Sequence, residues 1–277
     1  MAITAQEVNK LRQMTGAGMM DCKKALTEAN GDFDAAIDLL RKKGQKVSAS
    51  RSDRETTEGS VFTHTNDGKT EAVLIALGCE TDFVAKNESF QELGNAILQV
   101  AVKEKPADIA ALKSLKIGAL TVEEKIIELV GKIGEKLEVI AYERLAGEAV
   151  VPYVHAGSKL GVLVALKNVN GGDVTDAGKD VAMQIAAMRP VGVDKDDVDE
   201  SVVAREIEIG KEQARAEGKP EAMLEKIALG KLNKFYKDNT LLNQAFVKDN
   251  SMTIAQYLDS VNKGMTVAAF KRVAIGG

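Results

Sequence analysis

Along the first 44 positions apolar residues recur at three- and four-residue spacing, and further on they alternate, so the pattern predicts helices first and strands after. Thr4 with Glu7 forms a capping box ahead of Val8 and Leu11, which starts a short helix. Thr15-Gly16-Ala17-Gly18 breaks it. Met19, Cys22, Leu26 and Ala29 then recur at helical spacing until Asn30-Gly31 ends a second helix. Asp32 caps a third, which carries Phe33, Ile37 and Leu40 on one face and closes with Arg41-Lys42-Lys43-Gly44, cations at the negative end of the helix dipole. Residues 1–44 thus read as a three-helix module. Residues 45–58, rich in Ser, Thr, Arg and Glu with little to bury, read as a linker.

Val61 to Thr65, Asn66-Asp67-Gly68-Lys69 and Thr70 to Leu77 read as strand, turn and strand, with Asp67-Gly68 supplying the positive φ of a tight hairpin. Val150 to Leu166 aligns on Val61 to Leu77 without gaps, Gly157 falling on Gly68. Each hairpin leads into an apolar helix, the second through Val181, Ile185 and Met188. Two related α+β subdomains with antiparallel sheets follow, at 59–146 and at 147–194 with 236–277. Thr121 to Glu124 caps a helix through Ile126, Leu129 and Ile133, and a strand from Leu137 to Leu145 completes the first sheet. Residues 195–235 interrupt the second subdomain. Val198, Val202 and Ile209 on one helix face Leu224, Ile227, Ala228, Leu232 and Phe235 on the next, with Gly218 and Pro220 between them, as in an antiparallel helical hairpin. Ala245-Phe246-Val247, a helix around Ile254, Tyr257 and Leu258, and a strand Val267 to Ile275 close the second sheet.

Composition narrows the function. A chain of 277 residues with 45% apolar and 28% charged residues is globular in character, and its net charge of −4 disfavours a dominant electrostatic grip on nucleic acid or anionic lipid. No apolar run is long enough to span a membrane, and the first residues lack a signal or transit pattern, so a cytoplasmic protein is expected. Cys22 and Cys79 stand apart without a CxxC, which argues against a zinc site or a disulfide framework. Neither GxxxxGK[ST] nor GxGxxG is present, so no standard means of holding a nucleotide is visible. The absence of Trp and 4% aromatics also weaken a base-stacking role.

The two hairpins diverge most where their second strands end. The first continues Gly78-Cys79-Glu80-Thr81-Asp82-Phe83-Val84-Ala85-Lys86-Asn87, the second Lys167-Asn168-Val169-Asn170-Gly171-Gly172. One reading is structural: Thr81 or Asp82 caps the next helix, and Phe83, Phe90 and Ile97 at seven-residue spacing face the core. The other is that an acidic cap and an aromatic project from the turn as a wedge. Met19 and Met20 cannot both face one side of a helix, so one is expected outside, where Met beside Gly suits an adaptable partner surface. Arg12 lies nearby, either pairing across an interface or solvated. His64 and Cys79 do not form a dyad, because His64 lies opposite about residue 71 of the hairpin. His155 sits at the second turn with no group to orient it, and Asp196-Asp197 and Glu123-Glu124 are helix-start carboxylates.

Leu11-Arg12 with Thr15-Gly16-Ala17-Gly18-Met19-Met20-Asp21-Cys22-Lys23-Lys24-Ala25-Leu26, and Thr81-Asp82-Phe83-Val84-Ala85-Lys86-Asn87, resemble the bacterial elongation factor Ts family. The resemblance extends through His155 with Gly161-Val162-Leu163-Val164, the Gln184 to Met188 helix and the hairpin arm. It implies an α+β fold with a ubiquitin-associated-like N-terminal module, a two-subdomain core and a coiled-coil hairpin. It implies a guanine-nucleotide exchange factor, not a covalent catalyst, that binds elongation factor Tu in its GDP-bound and nucleotide-free forms and needs no cofactor, nucleic acid or membrane. Thr81, Asp82, Phe83 and Val84 match the segment that displaces Mg²⁺ in the partner. Arg12, Met19 and Met20 match a contact with a G-domain helix, His155 a contact away from the nucleotide, and Val247 falls near another. The sequence departs from some members by finishing at Ala274-Ile275-Gly276-Gly277 without a further helical module, and it leaves homodimerisation through the arm open. Two other classes compete: an enzyme using Cys79 or His64, and a scaffold whose helical module binds ubiquitin-like or helical partners.

Overall fold

The Thr4 hydroxyl accepts the Glu7 N–H at 3.2 Å while the Glu7 carboxylate accepts the Thr4 N–H at 2.7 Å, and this reciprocal cap starts α1 (Ala5–Thr15) in the computed structural model, which describes residues 3–277. Gly16, at φ 66°, ends it. α2 (Met19–Glu28) and α3 (Phe33–Ser50) complete a bundle around Val8, Leu11, Cys22, Ala25, Leu26 and Ala36. The third helix does not stop at Gly44 as expected. It runs on to Ser50, because Gly44 is a packing residue: a Cβ on Gly131 of a later helix, Val122–Ile133, would stand 2.7 Å from the Gly44 Cα. Two backbones meet where side chains would hold them apart, and Val47 beyond the contact packs on the core of the first sheet.

After β1 (Glu58–Thr65) and β2 (Glu71–Cys79) come α4 (Asp82–Ala85), α5 (Glu88–Glu104), α6 (Ile109–Ser114), β3 (Lys116–Ile117), β4 (Leu120–Thr121), α7 (Val122–Ile133) and β5 (Leu137–Ala146). β2 lies between β1 and β5, antiparallel to both. The left-handed residue of the first hairpin is Lys69, at φ 51°, rather than Gly68, since the Asn66 carbonyl side chain accepts the Thr70 and Glu71 N–H groups and closes the turn. Periodicity gave no hint of α6 or the small β3–β4 ribbon, which are too short to show a period.

The second unit repeats this order. β6 (Ala149–Val154) and β7 (Leu160–Lys167) precede α8 (Thr175–Met188), α9 (Glu200–Ala216), α10 (Glu221–Asn239), β8 (Ala245–Phe246), β9 (Asp249–Thr253), α11 (Ile254–Val261) and β10 (Thr266–Ala274). β7 lies between β6 and β10, antiparallel to both. Ala245-Phe246 does not join this sheet as expected; β8 pairs with β9 in a ribbon of its own. The buried Gln184 side chain holds that ribbon from α8, donating to the Ala245 carbonyl at 3.1 Å and accepting the Val247 N–H at 2.9 Å.

The two sheets face each other through Ala72, Leu74 and Ala76 of β2 and Leu163 and Ala165 of β7. Their outer faces carry Val73, Ile75 and Leu77 under α5 and α7, and Val162, Val164 and Leu166 under α8 and α11. The order is helices, sheet, sheet, helices, an α+β arrangement with antiparallel sheets. At Gly161 the sheets come so close that a Cβ would lie 2.5 Å from Val61 Cγ1. α9 and α10 pack chiefly on each other, through Gly210 and Ala214 against Leu224, Ala228 and Leu232. Ile209, expected on the inner stripe, is exposed, because close approach at Gly210 shifts the contact to the small residues.

Candidate functional site

Phe83 and Phe90 share a heptad position in sequence and part completely in space. Phe83 is 83% exposed, whereas Phe90 and Ile97 have no exposed surface and belong to the core under the first sheet. The helix that would have kept them on one face is broken. α4 ends at Lys86, Asn87 takes an extended conformation with ψ 135°, and its side chain accepts the Ser89 N–H at 3.0 Å to start α5 afresh. The break resets the helical phase, so Val84 and Ala85 point inward while Asp82 and Phe83 point out. Phe83 therefore lies outside the core that the structural reading assigned to it, and Val84 is buried behind it.

A single turn of helix has no stability of its own, so the direction of Phe83 is fixed from behind. The Thr81 hydroxyl donates to Glu135 Oε1 at 2.8 Å and its N–H to Oε2 at 3.1 Å, both oxygens of one carboxylate taking both donors of one residue. Glu80 accepts two bonds from the Arg51 guanidinium at 2.8 and 2.9 Å and the Lys136 N–H at 2.6 Å. Burial pushes the Glu80 pKa up, but the Lys136 N–H and the Arg51 guanidinium more than reverse this, and the carboxyl stays below its usual range. Cys79 lies beneath, donating its S–H to the Thr81 carbonyl at 3.1 Å. Asp82 pairs along its own helix with Lys86 at 2.8 Å. Local patterns single out none of Arg51, Glu135 and Lys136, which reach the turn from the end of α3 and from the α7–β5 connection; the only sequence signal is that Gly134-Glu135-Lys136 is a polar turn.

Met19 and Met20 are 54% and 75% exposed, so both methionines, and not one, lie outside. The six-residue core of the bundle is too small to cover the first turn of α2. Arg12 and Met14, on α1 ahead of the Gly16 turn, are exposed as well. This turn and the Phe83 turn lean on the same end of α7: Lys132 lies against Gly16, its Nζ 2.8 Å from where a Cβ would stand, and donates to Ser89 Oγ at 3.2 Å, while Glu135 holds Thr81. His155 is exposed, its Nδ1 2.7 Å from the Tyr153 hydroxyl. Its turn reaches the same end of the first sheet, because the Ser158 carbonyl accepts the Val61 N–H at 2.7 Å and Lys159 pairs at 2.8 Å with Glu58, which lies opposite Cys79. Val247 is half exposed and is held by α8, apart from the first sheet.

Thiol chemistry has no footing here. Cys79 is fully buried, and burial together with the nearby Glu135 charge pushes its pKa up to about 12, far from a thiolate at neutral pH. His64 lies opposite Val73, not residue 71, and Cys79 opposite Glu58, so the two stand at different ends of the ladder. Among the described residues no group of three or more His, Cys, Asp or Glu is placed to hold a metal, and no helix is long and apolar enough to cross a membrane.

Residues 80–277 match a family model described as Elongation factor TS, the match opening at Glu80, beside the projecting turn. Proteins named Elongation factor Ts align along the whole chain. That of Cytophaga hutchinsonii is 64% identical over 275 residues, with 99% of each chain covered. Those of Amoebophilus asiaticus and a Hydrogenobaculum species are 60% identical over 276 residues and 45% over 282, covering 100% of both chains in each case.

Proposed function

The chain belongs to the elongation factor Ts family of translation factors, and from that premise we propose that it is a guanine-nucleotide exchange factor that binds GDP-bound elongation factor Tu, displaces its Mg²⁺ and releases GDP so that GTP can enter. The observation that carries the proposal is the 83% exposure of Phe83 on a turn whose Val84 and Ala85 are buried and whose Thr81 is hydrogen-bonded to Glu135. A large aromatic held in water is costly to keep unless it has somewhere to go.

Exchange needs no covalent step. The factor must bind the nucleotide-free or distorted partner better than the nucleotide-bound one, and by linkage it then weakens GDP by the same factor. Phe83, backed by Val84 and flanked by Thr81 and Asp82, acts as the wedge against partner helices beside the Mg²⁺ site. Moving Mg²⁺ removes charge neutralisation from the diphosphate, and a shifted phosphate loop loses its amide contacts, so both effects weaken GDP together. Arg12, Met19 and Met20 grip a helix of the partner's G domain, while His155 and Val247 bind away from the nucleotide.

In this reading residues 1–44, with α3 running on into the linker, form a ubiquitin-associated-like module. Residues 59–146 form one core subdomain, 147–194 with 236–277 the other, and 195–235 a coiled-coil arm built from α9 and most of α10, whose last turn runs on to Asn239 in the second subdomain. Working on a soluble translation factor, the protein acts in the cytoplasm without binding nucleic acid or membrane itself.

The test is stopped-flow release of a fluorescent GDP from elongation factor Tu. Wild-type protein is expected to accelerate release, with Phe83→Ala folded but largely inactive. No acceleration at saturating protein would sink the proposal and favour a binding scaffold.

A further inference from the structure

Phe83 is aimed from both sides of its turn. Val84 and Ala85 seat α4 in the core, and Gln91 ties its end down by donating to the Ala85 carbonyl at 2.7 Å and to Ser60 Oγ at 2.9 Å. These contacts hold the C-terminal side of the turn. At the N-terminal side the Thr81 N–H and hydroxyl both end on Glu135, which is half-buried in the connection between α7 and β5. A charged acceptor taking two donors is stronger than a neutral one, and without it the Thr81 donors turn to water and the entry to α4 loosens. Glu80 is a less specific lever. Its carboxylate also fastens Arg51 at the end of α3 and the Lys136 backbone, so removing it would disturb three segments together.

We infer that Glu135 is a positioning residue for exchange, setting the direction of the Phe83 wedge through its two bonds to Thr81. The inference rests on the exchange reading above and adds to it a residue outside the projecting motif. Glu135 acts before the partner arrives: the turn is presented ready-made, so little conformational freedom is lost when Phe83 is driven into place.

The experiment measures fluorescent GDP release from elongation factor Tu across a range of factor concentrations, for wild type, Glu135→Ala, Glu135→Gln, Phe83→Ala and Glu135→Ala combined with Phe83→Ala. Thermal unfolding is recorded for each. Glu135→Ala is expected to lower the maximal release rate about tenfold, with the half-saturating concentration changed by less than about twofold. Glu135→Gln, which keeps one acceptor for the Thr81 hydroxyl, should recover to within about threefold of wild type. In the Phe83→Ala background Glu135→Ala should cost nothing further, a coupling that general loosening of the fold would not produce.

Wild-type release rates in Glu135→Ala, or an equal loss with and without Phe83, would overturn the inference while leaving the exchange reading intact. Absence of acceleration by wild type would overturn both. Should Glu135→Ala fail to fold, Thr81→Val removes the hydroxyl donor from the other side and must show the same loss and the same coupling to Phe83; a Thr81→Val protein with wild-type rates overturns the inference.

Discussion

The exits of β2 and β7 begin alike and end differently. Each central strand leaves its sheet toward a helix that covers the outer face, but the first exit projects an aromatic and the second folds back on itself. After β7, Asn168, Asn170 and Gly171 take left-handed conformations at φ 60°, 47° and 76°. Asn168 donates to the Gly264 carbonyl at 3.0 Å, Asn170 to Asn262 Oδ1 at 3.2 Å, and Asn262 to the Val169 carbonyl at 2.5 Å. Amides of the exit and of the turn before β10 thus close the second exit, with the Glu148 carboxylate accepting the Val169 N–H at 3.2 Å. The first is braced by the carboxylates of Glu80 and Glu135, with Arg51 and the Lys136 backbone behind Glu80. Both exits are anchored from elsewhere in the fold, but only the anchors of the first leave a large side chain projecting.

Phe90→Ala should have the largest effect and fall entirely on stability, since emptying a fully buried aromatic site costs about 3–5 kcal/mol; denaturant unfolding measures it. Phe83→Ala is the counterpart seven residues away. It should cost roughly thirtyfold in GDP release, about 2 kcal/mol for a central aromatic anchor, while the thermal midpoint barely moves. If the two variants lost stability equally, the contrast between projecting and buried aromatic would collapse. At the second exit, Asn262→Ala should lower stability by about 1 kcal/mol and leave exchange untouched. An exchange defect there would show that the two exits are not functionally distinct.

Acid should also separate them. Because the folded pKa of Glu80 is depressed, its stabilisation is complete above the ordinary carboxylate range and is lost as pH falls through the lower folded value. Thermal midpoints followed downward in pH should fall more steeply for wild type than for Glu80→Gln, and parallel curves would contradict that brace. Asp82→Ala should be the mildest change, about two- to fourfold in exchange, because Asp82 is exposed and its pairing runs along its own helix to Lys86.

Much of the fold is legible in the sequence, because capping boxes and strand alternation are local signals. Thr4 with Glu7 and Thr121 with Glu124 cap as the residues predict, and both hairpins form with their central strands in the expected place. What escapes is decided at a distance. Gly44 reads as a helix stop until Gly131 is brought against it, and Phe83 reads as core until Asn87 restarts the helix behind it. Met19 falls on the inner stripe of α2 by spacing, yet a bundle this small has nothing with which to cover it. For the candidate site, the projecting motif itself stands out in sequence. Its supports do not, since Glu135 lies 54 positions from Thr81 and no periodicity links them.

Lys132 against Gly16 and Glu135 against Thr81 lie within one short stretch at the end of α7, while Gly44 on Gly131 presses the helical bundle onto the same helix. The exposed methionines and Phe83 are therefore like the jaws of a caliper riveted to a single bar. One bar sets the spacing of both jaws, and in the proposed complex the surface they grip meets the two together.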